Sequence, residues 1–132
     1  MKEQAQHLET GEWGEKIAER FLKKNGLKML GRRVRLGSRD EIDLVARDGE
    51  ELVFVEVKTR KTEDFGRPAS AVDREKRHAL SRAAMRYLKA IGQPRVCFRF
   101  DVVEVVGSTG DTAPIVRHVE NAFNLDRRYV IP

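Results

Sequence analysis

The chain has 132 residues, 40% hydrophobic and 36% charged, which suits one folded domain and excludes a disordered or fibrous protein. Its 26 Lys and Arg residues exceed its 21 Asp and Glu residues, and the formal net charge of +5 favours a polyanionic partner. The polar N-terminal sequence MKEQAQHLETGEWGEK lacks the apolar core of a secretory signal, and no apolar run approaches the ~20 residues of a membrane span. Residues 1–132 are therefore predicted to be a single cytoplasmic domain.

Helices and strands alternate in the predicted chain order, which indicates an α/β fold. The predicted elements are a helix from about Thr10 to Asn25, strands at about 28–36, 41–47 and 52–60, a loop at 62–70, a helix that follows the N-cap Asp73 and runs to about Ile91, a strand at 96–106 and a short strand at 114–121. Gly26 and Gly92 end the two helices. Residues 120–123 are predicted to form a terminal turn that places Phe123 on the core.

Isolated polar residues outside the strands at 41–60 are interpreted as structural. The single cysteine, Cys97, lies in the apolar run VCFRF and is expected to be buried, as in a reducing compartment. Asp101 is expected to pair with a basic neighbour. The histidines His7, His78 and His118 do not have the spacing of metal ligands and are interpreted as surface or incidental residues.

The hairpin EIDLVARDGEELVFVEVKTR, residues 41–60, carries charged residues within apolar strands. Because side chains alternate along a strand, Glu56 and Lys58 share one face. Asp43 joins them across the hairpin if the loop has two residues. A loop at 48–49 sets Asp43 diagonal to Glu56, and a loop at 49–50 sets the two residues opposite each other. A three-residue loop would separate them.

These acids predict a divalent metal centre. Facing carboxylates destabilise a sheet, whereas Mg²⁺ and Mn²⁺ take oxygen ligands. Asp43 and Glu56 are therefore predicted to bind the metal, and the backbone carbonyl of Val57 is a further candidate oxygen. Lys58 would position a water molecule or stabilise charge on a phosphate. The structural alternative is an exposed ion pair between Glu56 and Lys58, which would contribute little.

The first helix brings another acid towards the core. At about 100° per residue, its apolar residues, Trp13, Ile17 and Leu22 among them, form one face. Glu15 lies at the edge of that face, closer to the core than the other acids of this helix.

The motif Asp-(x)12-Glu-Val-Lys resembles the core of the PD-(D/E)XK nuclease superfamily. A second resemblance covers nearly the whole chain. The blocks GEWGEKIAERFLKKNG, EIDLVARDGEELVFVEVKTR, FGRPASAVDREKRHAL, AAMRYL, RFDVV and ENAF resemble the YraN-like bacterial family, which is assigned the same fold. This resemblance implies a restriction-endonuclease-like three-layer α/β fold, with a central mixed sheet of about five strands flanked by helices.

The resemblance also implies roles for individual residues. Asp43, Glu56 and Lys58 match the catalytic acid, acid and lysine of the superfamily. Glu15 matches the helix-borne glutamate that resolvase-like members add to the metal site. Glu41 matches an acid two residues before the catalytic aspartate, and it is given an accessory role.

Two positions depart from the family pattern. Asp40 replaces a glycine and is expected to put a third acid near the site, where it could weaken the approach of a phosphate. Arg33 stands where the family often has asparagine, so an asparagine-specific role is in doubt.

Basic residues flank the candidate metal site, and such cations suit a phosphate backbone. The predicted nucleic-acid-binding residues are Arg33, Arg35, Arg39, Arg60, Lys61, Arg67 and Lys76. Lys76 lies where many superfamily members have an extra polar residue. Phe65 would either stack on a base or anchor its loop.

The sequence therefore favours a Mg²⁺- or Mn²⁺-dependent endonuclease that acts on DNA, including structured or junction DNA in repair or recombination. The resolvase-like comparison implies a homodimer. Two alternatives stay open at this point: a non-catalytic nucleic-acid-binding module, and a protein-interaction domain in which Glu56 and Lys58 form an internal ion pair.

Overall fold

A computed structural model describes residues 2–61, 72–92 and 95–126, with side chains from residue 11 onwards. The elements are α1 (Lys2–Lys24), β1 (Lys28–Leu36), β2 (Asp40–Asp48), β3 (Glu51–Arg60), α2 (Arg74–Ala90), β4 (Phe98–Val106) and β5 (Ile115–Phe123). The strands form one five-stranded sheet in the order β1-β2-β3-β4-β5. This order confirms the predicted α/β class and the mixed sheet.

The sheet is mixed because one of its pairs is parallel. Strands β3 and β4 run parallel, and the other neighbouring pairs are antiparallel. A parallel pair needs a long crossover connection, and the segment between these two strands contains α2. The antiparallel neighbours need only short connections, so the sheet follows chain order.

The sheet lies between the two helices, which gives three layers. On one face, Ala18 and Leu22 of α1 pack with Val53 and Val55 of β3. On the other face, residues of α2 pack with Leu52 and Phe54 of β3 and with their neighbours. The strict alternation along β3 therefore supplies both cores, and the arrangement is consistent with a restriction-endonuclease-like fold.

The helix boundaries were predicted unequally well. Helix α2 begins after Asp73, whose Oδ1 accepts a hydrogen bond from the Lys76 backbone N–H at 2.8 Å, as the capping signal predicted. Helix α1 begins at Lys2 rather than near Thr10. The earlier residues are mostly good helix formers such as Glu, Gln, Ala and Leu, so nothing in their sequence ends the helix.

The end of β5 differs from the predicted turn. Strand β5 continues to Phe123, and Asn121 within it has a φ of 51°. The backbone N–H of Asn121 donates to Asp101 Oδ1 at 3.0 Å, which anchors an irregularity in the pairing of β4 with β5. Phe123 is buried and stacks on Phe100 with ring centroids 4.7 Å apart, so its docking on the core is confirmed.

Asp101 has the structural role that the sequence predicted. Its carboxylate is buried and bonds Arg99 Nε at 3.0 Å and His118 Nε2 at 2.7 Å. Burial alone would raise the pKa of Asp101, but these hydrogen bonds lower it. His118 also makes an edge contact with Phe21, and its side chain is 10% exposed, so of the two predicted alternatives the surface position is not observed.

The prediction for Cys97 is also wrong. Cys97 is exposed and lies just before β4, which begins at Phe98. Its carbonyl accepts a hydrogen bond from the Leu52 N–H at 2.9 Å. The apolar run around it therefore continues the strand pairing without burying the thiol.

Candidate metal centre

Asp43 lies where the regular alternation of β2 breaks. Ile42 packs in the core beneath α2, whereas Leu44 packs in the core beneath α1, although strict alternation would put both on one face. Regular alternation, from which the shared face of the hairpin residues was predicted, therefore fails in β2 at this point. Arg33 of β1 lies opposite this break and has a φ of 47°. Such an irregularity interrupts the regular alternation, so that side chains before and after it take opposite faces from those expected.

The register of the hairpin is one of the two predicted from the sequence. Asp48 pairs with Glu51 and Leu44 pairs with Val55, so the loop is residues 49–50. Continuing this register sets Asp43 opposite Glu56. The Val57 backbone N–H donates to Asp43 Oδ2 at 2.8 Å, so the aspartate side chain takes the place of a strand partner.

The environment of Asp43 opposes its ionisation. Burial, together with the nearby charge of Glu56, raises the pKa of Asp43 to about 8. A hydrogen bond with Glu56 and the charge of Glu15 act in the same direction, while the Val57 N–H opposes them. Asp43 is therefore an acid that would gain stability from a nearby cation.

Leu52 and Phe54 of β3 pack in the core beneath α2. Because side chains alternate along a strand, Glu56 and Lys58 lie on this same α2-facing side. Glu56 Oε2 lies 3.5 Å from Lys76 Nζ on the first turn of α2. The predicted residues Glu56 and Lys76 thus meet at the sheet, and α2 supplies a cation that contacts Glu56.

Glu15 reaches the same region from the other helix. Its Oε2 accepts hydrogen bonds from Arg33 Nη2 at 2.7 Å and Arg33 Nε at 3.0 Å. Arg33 Nη1 also lies 3.7 Å from Glu12. The core-facing residues of α1 are those that the helical period predicted, which is why Glu15 sits at the sheet rather than in open solvent.

A cleft of about 400 Å³ joins these elements. Its lining includes four acids and one arginine, together with backbone and small side chains: Gly11, Glu15, Arg33, Glu41, Asp43, Glu56, Val57 and Thr59. Arg33 and Glu15 also line a neighbouring cleft of about 420 Å³ between α1 and β1. The predicted acids of the site therefore share one open, mainly acidic cavity.

The acids of the cleft do not surround a single point in this structure. Within residues 2–61, 72–92 and 95–126, no three His, Cys, Asp or Glu side chains stand in a position to hold one ion together. Glu15 is turned to Arg33 and Glu56 to Lys76. A metal ion at this site would have to displace these two cations from the glutamates.

The predicted phosphate-binding residues differ in their surroundings. Arg35, Arg39 and Lys61 are exposed. Arg60 lies at the end of β3, and its Nε is 3.1 Å from the buried Glu104 Oε2. Arg67, like Phe65, lies outside the described residues.

Asp40 does not add free negative charge to the site. It is buried against α2, where Arg82 Nε and Nη2 donate to its two carboxylate oxygens at 2.7 Å each. The hydrogen bond from Arg82 lowers the pKa of Asp40. The expectation of a third acid facing a phosphate is therefore wrong, because a cation 42 residues away in the chain neutralises it.

Sequence reasoning also missed Glu104. This acid is buried in β4 opposite Lys58 of β3, and it contacts Arg60 and, at 3.2 Å, Arg117 of β5. The signal in the sequence is a glutamate inside the apolar run DVVEVV. As with Glu56, a carboxylate in an apolar strand is costly unless a cation compensates it, so a basic partner could have been predicted.

These features define an α/β protein with an acidic cleft beside its central hairpin. A family model described as Uncharacterised protein family UPF0102 matches residues 14–105, and the chain belongs to this family. The resemblance to the YraN-like family is thereby confirmed.

Relatives match most of the chain. It is 42% identical over 119 residues to the UPF0102 protein of Desulfosudis oleivorans, covering 90% of this chain and 93% of the relative. The UPF0102 protein of Symbiobacterium thermophilum is 46% identical over 116 residues, or 87% and 96% of the two chains. That of Clostridium acetobutylicum is 36% identical over 118 residues, or 88% and 94%.

Neither α1 nor α2 of the described chain has the length and apolar composition that crossing a membrane would require.

Proposed function

We propose that this protein hydrolyses phosphodiester bonds in DNA with Mg²⁺ or Mn²⁺ held by Glu15, Asp43 and Glu56. The observation that carries the proposal is the position of Asp43. Its carboxyl group is partly buried beside Glu56, is oriented by the Val57 N–H and opens into a cleft shared with Glu15. Holding acids this close is unfavourable unless a cation compensates their charge.

The donor chemistry of the cleft fits a hard divalent cation. Carboxylate oxygens come from α1, β2 and β3, and the Val57 carbonyl is the proposed backbone ligand. The two glutamates are contacted by Arg33 and Lys76, so metal binding requires these contacts to open. A bound cation would polarise the phosphoryl oxygen and acidify the attacking water.

The residues of the chain have separate roles in this proposal. Lys58 shares the α2-facing side of β3 with Glu56 and would stabilise the negative charge that develops on the phosphate. The exposed residues Arg35, Arg39 and Lys61 would contact the DNA backbone, together with Arg60 beside Glu104. Glu41 lines the cleft, which supports its accessory role.

The PD-(D/E)XK resemblance supports DNA as the substrate, with structured or junction DNA in repair or recombination as the first class to test. The same comparison supports a homodimer, which would place two sites on two strands. Action on DNA in this way also fits the proposed cytoplasmic location.

The test is cleavage of labelled duplex, flap and four-way-junction DNA with Mg²⁺, Mn²⁺ or EDTA. Wild type should cut at least one substrate only when metal is present, and Glu56→Gln and Lys58→Ala should abolish cutting while remaining folded. Glu50→Gln, in the hairpin loop at the other end of β3, is the matched control and should cut like wild type. Absence of cutting with every substrate and metal would overturn the nuclease proposal for these substrates.

A second candidate is a non-catalytic nucleic-acid-binding module. The contacts of Glu15 with Arg33 and of Glu56 with Lys76 favour it, because they satisfy both glutamates without a metal. This candidate predicts DNA binding that is equal with and without Mn²⁺ and equal in Glu56→Gln and wild type. Metal-dependent cutting would exclude it.

A further inference from the structure

Two acids of the candidate metal centre are each contacted by a cation of the same chain. Arg33 donates twice to Glu15 Oε2, at 2.7 and 3.0 Å, and Lys76 Nζ lies 3.5 Å from Glu56 Oε2. Asp43 lines the same cleft as Glu15, Arg33 and Glu56. The two cations therefore provide the compensating charge that a divalent ion would provide.

The acids and the cations differ in exposure. The side chains of Glu15 and Glu56 are 17% and 13% exposed, whereas those of Arg33 and Lys76 are 42% and 48% exposed. Long cationic side chains can keep their charged ends in water while their stems stay packed. The acids are therefore the more buried half of each pair, and the more exposed cations can move outwards into solvent.

The backbone at Arg33 adds an independent observation. Arg33 has a φ of 47°, and Asn121 is the other non-glycine residue with a positive φ in the described part of the chain. This conformation is unfavourable for a long side chain. It directs the guanidinium from an edge strand towards α1, so that Arg33 lines both clefts beside the site.

We propose that Arg33 and Lys76 are exchangeable counter-cations, which hold Glu15 and Glu56 when no metal is bound and are released to bind nucleic-acid phosphates when a divalent cation takes their place. The inference rests on the proposed metal-dependent function. It makes metal and nucleic acid bind cooperatively, because each metal ion that enters frees two positive charges for the backbone.

The direction in which Arg33→Asn changes the affinity for Mn²⁺ tests the exchange. Arg33→Asn removes the guanidinium, and asparagine tolerates the positive φ, so the backbone is retained. If Arg33 competes with the metal, the variant should bind Mn²⁺ about three- to five-fold more tightly than wild type, the effect of removing one partly exposed ion pair. If Arg33 instead prepares Glu15 for the metal, the variant should bind Mn²⁺ equally or more weakly, which would overturn the proposal.

A neighbouring arginine provides the matched control. Arg32 also lies on β1 and pairs with an acid of α1, but its partner is Glu19, which lies outside the proposed metal ligands. Arg32→Asn should leave the Mn²⁺ affinity of wild type unchanged. Lys76→Gln should tighten Mn²⁺ binding as Arg33→Asn does, and its helix cap is preserved because Asp73 accepts from the backbone N–H of Lys76.

A second measurement follows the released charges. Binding of a fluorescent DNA duplex would be compared with Ca²⁺ and with EDTA, by anisotropy at constant ionic strength. Ca²⁺ should strengthen binding by wild type and by Arg32→Asn, and it should strengthen binding several-fold less in the double variant Arg33→Asn/Lys76→Gln. An equal metal effect in the double variant and wild type would overturn the exchange.

Failure of the two proposals would look different. If wild type binds no Mn²⁺ by calorimetry, the metal-dependent function itself fails, and the exchange fails with it. If wild type binds Mn²⁺ but Arg33→Asn does not bind it more tightly, the exchange alone fails. Circular dichroism and thermal melting of each variant would establish that it is folded before either result is interpreted.

Discussion

Three influences act on the carboxyl group of Asp43. It is partly buried, it faces Glu56 across the hairpin, and its carboxylate accepts the Val57 N–H. The first two raise its pKa to about 8 while the hydrogen bond opposes them. The folded protein therefore binds the proton of Asp43 more tightly than the unfolded chain does.

This difference predicts how stability depends on pH. A raised carboxyl pKa contributes stability below about pH 4 that is lost progressively as the pH rises through about 8. In EDTA, wild type should lose on the order of 2–4 kcal/mol of unfolding free energy relative to Asp43→Asn between pH 5 and pH 9. The measurement is urea denaturation of both proteins across this range. Glu50→Gln is the control and should follow wild type, whereas parallel curves for wild type and Asp43→Asn would contradict the prediction.

Arg33 shows how one residue can satisfy two constraints at once. Its positive φ suits a residue such as asparagine, because asparagine tolerates left-handed backbone. The arginine of this chain keeps that backbone and adds a guanidinium that reaches Glu15. One residue therefore combines an unusual backbone conformation with a charge that contacts an acid of the candidate site.

At the scale of elements, the site depends on how closely α1 approaches β3. A Cβ atom added to Gly14 would lie 2.0 Å from Thr59 Oγ1 and 3.2 Å from Thr59 Cβ. The glycine therefore allows the helix to pack on the strand, and it does so next to Glu15. At Gly11, one helical turn earlier, an added Cβ would meet nothing within 4 Å.

These two glycines of one helix should respond to alanine with opposite signs. Gly14→Ala should destabilise the protein by about 1–3 kcal/mol, because overpacking outweighs the gain in helix propensity. Gly11→Ala should stabilise it by up to about 1 kcal/mol through that propensity alone. Chemical denaturation measures both. Combining Gly14→Ala with Thr59→Ala should recover part of the loss, and equal stabilisation by both single variants would rule out a close helix–strand contact at Gly14.

At the scale of the whole molecule, the net charge is +5, and several of the basic residues form ion pairs with acids of the same chain. Arg82 neutralises Asp40, Arg99 bonds Asp101, and Arg60 contacts Glu104. Exposed cations such as Arg35 are therefore better placed to bind a polyanion than these paired arginines are.

This distribution predicts the salt dependence of DNA binding. In EDTA, the logarithm of the binding constant should fall linearly with the logarithm of salt concentration, and Arg35→Ala should reduce the slope by about 1. Arg47→Ala is the matched control, because Arg47 is exposed at the opposite end of β2 from Asp43; it should leave the slope unchanged. Anisotropy titrations at several salt concentrations measure this, and equal slopes in Arg35→Ala and wild type would exclude Arg35 from the interface.

The sequence by itself determined the features that depend on local periods. The core-facing side of α1, the alternation along β3 and the capped start of α2 were all predictable, because they follow from 3.6- and 2-residue spacings and from one capping side chain. The two-residue hairpin loop was predicted in two registers, since the turn residues Asp48, Gly49 and Glu50 suit either one. Those spacings were enough to bring Asp43, Glu56 and Glu15 to one region.

The tertiary structure decided what surrounds those acids. It broke the alternation of β2 between Ile42 and Leu44, paired Asp40 with Arg82, and gave Glu15 and Glu56 their cationic partners. Each of these outcomes depends on contacts between elements that lie far apart in the chain. A local pattern fixes the face on which a side chain lies, whereas its partner, and thus its charge state, is fixed only when the elements pack together.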